Sequence, residues 1–317
     1  MQFARKGREV RLWGRNRDDL NRIAAARENR KYLPGVGFPD NLRAEPDLRK
    51  ALSGTTDILI AVPSHALRET LLQIKPLLAK NARKSARVCW ATKGFELTTG
   101  KLPHQVAAEV LGDDLPMAVL SGPTFAKEVG AGLPTAMTIA ANDDTFAGDL
   151  AASLSGDKFR AYTSSDMIGV EVGGAFKNVL AIGAGISDGL GFGANTRIAL
   201  ISRGLVEMTR LGLALGAKQD TFMGLAGMGD LVLTCTDNLS RNRRMGLALA
   251  SGKTVDEAQE EIQQVVEGVL AAKAVREVAE RLHVEMPICQ QIYRVLYEGA
   301  PPREAVAALM GRALKPE

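Results

Sequence analysis

Short apolar runs alternate with amphipathic stretches through the first half of the chain, the pattern of an α/β sheet domain. Strands are predicted at 9–13, 57–62, 87–91, 117–120 and 135–140, and helices at 17–27, 46–52, 66–78 and 104–111. The run Asp57-Ile58-Leu59-Ile60-Ala61-Val62 is almost continuously apolar, as expected of a central strand covered on both faces. After Ser164-Ser165-Asp166, which reads as a helix cap, the strand signal disappears. Helices are then predicted at 166–186, 195–215, 219–226, 240–250, 254–261, 266–282, 286–297 and 303–311. The expected fold class is α/β: a Rossmann-like, doubly wound dinucleotide-binding domain at 1–165, followed by an all-helical substrate domain at 166–317.

The opening of that pattern is unusual. Met1-Gln2-Phe3-Ala4-Arg5-Lys6-Gly7 reads as the last turns of a helix and its glycine stop, and the strand at 9–13 follows. A Rossmann unit places a strand and a Gly-rich turn before such a helix, whose N-terminus holds the pyrophosphate. The domain is therefore expected to be incomplete at its start. Two later Gly-rich stretches do not replace that turn. Gly183-Ala184-Gly185-Ile186-Ser187-Asp188-Gly189 follows a helix-like run, has its third glycine one place late, and reads as a glycine-permitted helix break. Gly224-Leu225-Ala226-Gly227-Met228-Gly229 has no strand before it.

Composition narrows the class. Hydrophobic content of 46% and charged content of 24% are those of an ordinary globular protein, and 317 residues are enough for two domains. The 40 basic and 36 acidic residues leave a net charge of +4, too small to imply nucleic acid. Cys89, Cys235 and Cys289 are far apart and odd in number, and the three histidines are scattered. No metal site and no disulfide framework are expected, and a reducing, cytoplasmic location fits. No apolar run reaches the roughly 18 residues of a membrane span.

Lys177 is the most informative single residue. It lies in the nearly uncharged stretch Val172-Gly173-Gly174-Ala175-Phe176-Lys177-Asn178-Val179-Leu180-Ala181-Ile182. Its neighbours one helical turn away are Gly173, Gly174, Leu180 and Ala181, which leave room for something to come close. A lysine packed among apolar groups loses charge readily and suits proton transfer to a carbonyl; a lysine snorkelling to water would give the same local pattern. At the other end of the chain, Arg15 follows the strand at 9–13, where a Rossmann unit meets the adenosine ribose. An arginine there suits a 2′-phosphate, so NADP(H) is favoured and NADH remains usable. Lys93, in Ala91-Thr92-Lys93-Gly94, follows a predicted strand end, the ligand-binding edge of open α/β sheets.

Three blocks together are more specific. They are Leu120-Ser121-Gly122-Pro123-Thr124-Phe125-Ala126-Lys127-Glu128; Gly173 to Val179 with Gly191-Phe192-Gly193-Ala194-Asn195; and Gly229-Asp230-Leu231-Val232-Leu233-Thr234-Cys235-Thr236 followed by Ser240-Arg241-Asn242-Arg243-Arg244. In these blocks the chain resembles bacterial NAD(P)-dependent sn-glycerol-3-phosphate dehydrogenases, over residues 1 to about 311. The resemblance implies reduction of dihydroxyacetone phosphate to sn-glycerol 3-phosphate for phospholipid synthesis. It implies Lys177 as the proton-transferring lysine, Lys93 as a second active-site lysine, and Asn178, Asp230 and Thr234 in the substrate pocket. Arg241 and Asn242, with Ser240 beside them, match phosphate-binding positions, and Gly122 and Thr124 match the substrate loop. Arg15, Lys93, Ala126, Arg241, Val265 and Glu267 match cofactor contacts.

The implied partner is a small phosphorylated substrate, with a homodimer as the assembly to be tested. Against the family pattern the first strand and glycine-rich loop have no counterpart, so weak NADPH binding and low stability are expected. Two other functions are weighed: a related β-hydroxyacid dehydrogenase, disfavoured by the Asp230 and Ser240 blocks, and a non-catalytic remnant, supported only by the missing loop.

Overall fold

In a computed structural model describing residues 1–78 and 86–313, the two hydrophobic periods separate into a sheet domain and a helical one. Strands β1 (Val10–Leu12) and β2 (Leu42–Ala44) form a small parallel sheet. Strands β3 (Asp57–Ile60), β4 (Arg87–Trp90), β5 (Met117–Ser121), β6 (Thr135–Ala141) and β7 (Phe159–Ser164) form a second sheet in that order. Its pairs are parallel except β5 with β6. Among the described residues no ladder joins the two sheets.

Alternation along the strands sends side chains to opposite faces, and helices cover both. On one face Val88, Trp90, Met117 and Val119 pack with Leu67 and Leu71 of α4 (Leu67–Ile74) and Val106 and Val110 of α5 (Pro103–Leu111). On the other, Cys89, Ala118 and Ile139 pack with Phe146 and Leu150 of α7 (Asp144–Leu154). The preceding helices are α1 (Gln2–Arg5), α2 (Arg17–Ala26) and α3 (Leu48–Leu52), with α6 (Ala126–Ala131) between β5 and β6. Each buried Leu, Val or Phe adds about 1.5–3 kcal/mol of transfer free energy to the layering.

The expectation for 57–62 needs correcting. Among the described residues the strand ends at Ile60, pairs only with β4, and leaves Leu59 44% exposed, so it stands at the edge of this sheet with one apolar side chain uncovered.

Beyond β7 the described residues are helical. Asp166 caps α8 (Met167–Gly189), accepting the Gly169 N–H at 2.9 Å, and its other oxygen accepts Lys218 N–H and the Thr221 hydroxyl. Helix α8 is the axis of this half. Contrary to the expectation that no segment reaches span length, it is long and apolar enough to cross a membrane, but 94% of that window is buried inside the fold. Against it pack α9 (Gly193–Ala214), α10 (Gln219–Met223), α11 (Asp230–Thr236), α12 (Arg241–Ala250), α14 (Glu267–Arg281) and α15 (Pro287–Tyr297), while α13 (Val255–Ile262) packs on α12 and α16 (Pro302–Met310) on α15.

The glycines at 183–189 do not break α8, which runs on through Gly189. They are points of close approach instead: a Cβ on Gly185 would stand 2.1 Å from the Arg243 carbonyl oxygen, and one on Gly189 2.5 Å from Ala250 Cβ. The helix predicted at 219–226 stops at Met223, and Leu225–Gly229 forms a π-helical turn.

Candidate active site

Lys93 lies just past the C-terminal end of β4, in a loop tied down by the Thr92 hydroxyl, which donates to the Val62 carbonyl at 2.7 Å. Gly94 follows with φ +113°, a left-handed conformation that only glycine adopts without strain. Lys177 sits mid-way along α8 and is buried. The small residues preceding it have a specific use. A Cβ on Gly173 would stand 2.4 Å from the Ala226 carbonyl oxygen, so glycine lets the π-helical turn lie directly on α8. A Cβ on Gly174 would meet Ser121 Oγ at 3.2 Å and Lys93 Cγ at 3.4 Å. The room beside Lys177 is thus taken by the protein's own π-turn and by Lys93. π-Turns recur where a functional side chain must be aimed, and this one delivers Asp230, the first residue of α11.

Asp230 is 1% exposed and joins the two lysines. Lys93 Nζ donates to its Oδ2 at 2.8 Å, and Lys177 Nζ donates to its Oδ1. The Thr234 hydroxyl donates to the Asp230 carbonyl at 2.6 Å, one turn along α11, which fixes the helix start carrying the carboxylate. Burial works against every charge in the cluster. For Lys177 burial, followed by the Lys93 ammonium, outweighs Asp230 and brings its pKa down to about 8. For Lys93 burial is overcome by the Asp230 carboxylate, and its pKa lies above the ordinary lysine value. For Asp230 burial is overcome by the two lysines, and its pKa lies below the usual carboxylate range. One of two adjacent ammonium groups is therefore held charged while the other is poised to give up its proton.

A polar chain leads from this cluster toward α12. Asn178 Oδ1 accepts from Asn242 Nδ2 at 2.9 Å, and Asn242 Oδ1 accepts from Gly268 N–H at 2.8 Å. Asn178 Nδ2 reaches Glu267 Oε2 at 3.5 Å. Ser240 caps α12, accepting Arg243 N–H at 3.2 Å. The neighbouring arginines differ sharply. Arg243 is buried and committed to Asp188 Oδ2 at 2.5 Å, to the Cys235 carbonyl and to Asn238. Arg241, in the first turn of α12, has no ion pair or hydrogen-bond partner among the described residues. It remains available for an anion.

Sequence reasoning placed several further residues here. Gly122 has φ +145°, and a Cβ on it would stand 3.0 Å from Met137 Cα, so the loop after β5 requires glycine. Thr124 donates back to the Gly122 carbonyl at 3.2 Å. Ala126 opens α6 and is exposed, as is Val265. Arg15 lies away from the lysine cluster, beside a cavity of about 510 Å³ whose lining includes Trp13, Gly14, Arg17, Asp47 and Gln73. Its one ion pair among the described residues, with Glu69 at 3.7 Å, is exposed and weak.

A buried cluster beside the site went unnoticed in the sequence. Glu171 on α8, 3% exposed, accepts from Trp90 Nε1 at 2.9 Å and His104 N–H at 3.0 Å, and His104 Nδ1 lies 2.5 Å from its second oxygen. Burial raises the Glu171 pKa. It opposes charge on His104 too, but there Glu171 outweighs it and raises the pKa.

A mixed α/β domain joined to a helical domain, with a buried lysine–aspartate–lysine cluster at their junction, is the arrangement of a nicotinamide-dependent dehydrogenase. The comparisons identify the particular family. Residues 1–147 match the N-terminal and 166–307 the C-terminal family model of NAD-dependent glycerol-3-phosphate dehydrogenase, and the chain belongs to that family. It is 56% identical to glycerol-3-phosphate dehydrogenase [NAD(P)+] of Pseudoalteromonas translucida, covering 99% of this chain and 93% of that one. Identity to the Citrobacter koseri protein of the same name is 58%, covering 99% and 92%. The solved glycerol-3-phosphate dehydrogenase of Coxiella burnetii superposes with a TM-score of 0.94 at 48% identity, covering 98% of this chain and 94% of that one. The expectation that the first domain lacks its start is not borne out, since the N-terminal family model matches from residue 1.

Proposed function

We propose that the protein reduces dihydroxyacetone phosphate to sn-glycerol 3-phosphate, reversibly, with NADP(H) preferred to NAD(H). The observation carrying this reading is the pair of lysines held on one buried carboxylate, linked through Asn178 and Asn242 to the helix start of Arg241, which has no partner among the described residues. The cofactor, when bound, supplies a hydride to the carbonyl carbon. As negative charge grows on the carbonyl oxygen, Lys93 and Lys177 stabilise it, and Lys177 gives up its proton to that oxygen. Asp230 orients both ammonium groups. Arg241 takes the substrate phosphate by charge-assisted hydrogen bonds, at the N-terminus of α12, where the helix dipole also favours an anion. Asn178 and Asn242 hold each other and Gly268, shaping the pocket between the lysines and Arg241. Gly122, Thr124 and Thr234 shape its walls.

On the cofactor side, Arg15 faces the adenosine phosphate, with Lys93, Ala126, Val265 and Glu267 along the rest of the molecule. In this reading the domain boundary falls near residue 165. Three buried free cysteines fit a reducing, cytoplasmic setting.

A β-hydroxyacid dehydrogenase would present a cation to a carboxylate rather than to a phosphate dianion, and neither it nor a non-catalytic remnant is favoured. The test is substrate truncation. Arg241→Ala should raise KM for dihydroxyacetone phosphate at least tenfold and leave the slow reduction of unphosphorylated dihydroxyacetone unchanged. An equal loss on both substrates would remove Arg241 from phosphate binding. Arg15→Ala should raise KM for NADPH and leave KM for NADH unchanged, and the opposite result would end the preference for NADP(H).

A further inference from the structure

The Trp90–Glu171–His104 cluster lies outside the residues assigned above, yet it is attached to both catalytic lysines through the backbone. Trp90 is the last residue of β4, and the chain reaches Lys93 three residues later. Glu171 is on α8, less than two turns before Lys177. His104 is in the first turn of α5, whose free N–H groups favour a carboxylate. A single carboxylate, 3% exposed, therefore fastens the sheet strand that leads to one lysine and the helix that carries the other.

Burying that carboxylate is costly, and an apolar residue of similar volume would pack the same space without desolvating a charge. The directional bonds are what an apolar residue cannot supply. They fix β4 along and across α8, which sets the spacing of Lys93 and Lys177 about Asp230. The nearby surface charges Arg68, Glu96, Lys101 and Glu109 are paired with one another and leave Glu171 to His104 and Trp90.

We propose that Glu171 is a positioning residue for the reduction, acting with Trp90 and His104 to hold Lys93 in register with Lys177. The inference rests on the two lysines serving the reaction proposed above. Displacing a catalytic group by about an ångström can cost 100-fold in rate. Glu171→Leu is therefore expected to lower kcat for dihydroxyacetone phosphate by about tenfold or more, with KM for both substrates within about threefold of the wild type.

Glu171→Gln, which keeps an acceptor for the indole and the His104 N–H, should recover most of that loss. His104→Asn, whose amide can replace Nδ1, should likewise outperform His104→Ala. Trp90→Phe removes one hydrogen bond with the ring retained, and keeps the test open should Glu171→Leu fail to fold.

Thermal melting of each variant reports folding separately, and kcat is read well below the transition. Wild-type kcat in folded Glu171→Leu, or in folded Trp90→Phe together with His104→Ala, overturns the proposal. So does a loss confined to KM. Absence of turnover in the wild type itself would sink the proposed function rather than this inference.

Discussion

Lys93 Nζ and Asp230 Oδ2 are 2.8 Å apart although the two residues belong to different domains, one at a strand end and the other at a helix start. The contact closes the sheet domain onto the helical one at the point where Lys177 also meets Asp230. Without that carboxylate two ammonium groups would face each other in a buried space.

Asp230→Asn should therefore be more harmful than loss of one hydrogen bond. The amide still accepts from one lysine but no longer offsets either charge, so both lysine pKa values should fall and the ammoniums should separate. A drop in kcat on the order of 100-fold is expected, with a smaller change in KM. Steady-state NADPH oxidation measures both, and wild-type kcat would mean that the lysines do not need the bridge.

Lys177→Met keeps the volume of the stem and removes the proton. General acid catalysis is typically worth about 10² to 10⁴-fold, and kcat should fall by that amount. Binding of dihydroxyacetone phosphate, measured by calorimetry, should weaken far less if Arg241 takes the phosphate as proposed. A fall in affinity as large as the fall in kcat would recast Lys177 as a binding group.

The sign of the pH dependence follows from the Lys177 pKa, brought down to about 8 by burial and the neighbouring Lys93 charge. In the proposed reaction, reduction needs the protonated lysine, so kcat/KM in that direction should be flat below this value and fall about tenfold per pH unit above it. Oxidation of sn-glycerol 3-phosphate needs the neutral amine and should rise over the same interval. A reductive profile flat to pH 10 would contradict this assignment.

Much of this was legible because local patterns carry it. Asp166 announces α8, the apolar stretch around Lys177 is a buried helix, and the eight predicted helices of the second half each fall on a helical segment. The misses have physical reasons. Strand β2 is only three residues long, and β7 is half exposed, so neither shows a strong period. Helix α11 was hidden because Gly227 and Gly229 interrupt the helical pattern before it; the π-turn they belong to presses against α8 at Gly173, a contact made across the fold. The bonds from Trp90 and His104 to Glu171 join residues 81 and 67 positions apart, and no local spacing announces such a pair. The continuity of α8 through Gly185 depends on what packs against it, which the helix's own sequence does not contain.

Glu207 should govern part of the stability-versus-pH curve. It lies buried on α9 and accepts the Ile288 N–H at 2.7 Å and the Cys289 N–H at 3.2 Å, at the start of α15. Burial raises its pKa to about 7 despite those bonds. The folded state thus holds its proton more tightly than the unfolded state, where the pKa is near 4.5. Its contribution is complete below the unfolded value and is lost as pH rises to about 7, a change on the order of 3 kcal/mol. Glu207→Gln should remove this component, so that urea midpoints of mutant and wild type converge at low pH and separate in the mutant's favour near neutrality. Parallel curves would show that Glu207 does not titrate in this window.

The α8–α12 crossing makes the final prediction. A Cβ on Gly246 would stand 2.0 Å from the Ile182 carbonyl oxygen and 2.7 Å from Ile186 N, and one on Gly185 2.1 Å from the Arg243 carbonyl oxygen. The obstructing atoms are backbone on both helices, so no rotamer change relieves the clash, and the helices must move apart. In an exposed helix interior, glycine to alanine would stabilise by roughly 0.5–1 kcal/mol. Here Gly246→Ala should destabilise by about 1–3 kcal/mol or more, through overpacking. Because Arg241 and Asn242 ride on α12, the same displacement should raise KM for dihydroxyacetone phosphate in whatever fraction folds. Gly252→Ala offers the contrast: a Cβ there meets nothing within 4 Å, but φ is +93°, so its smaller penalty comes from backbone strain and should leave KM untouched. Urea unfolding with KM measured on the same preparations separates the two, and a KM for Gly246→Ala equal to the wild type would mean that the phosphate site is not carried by this crossing.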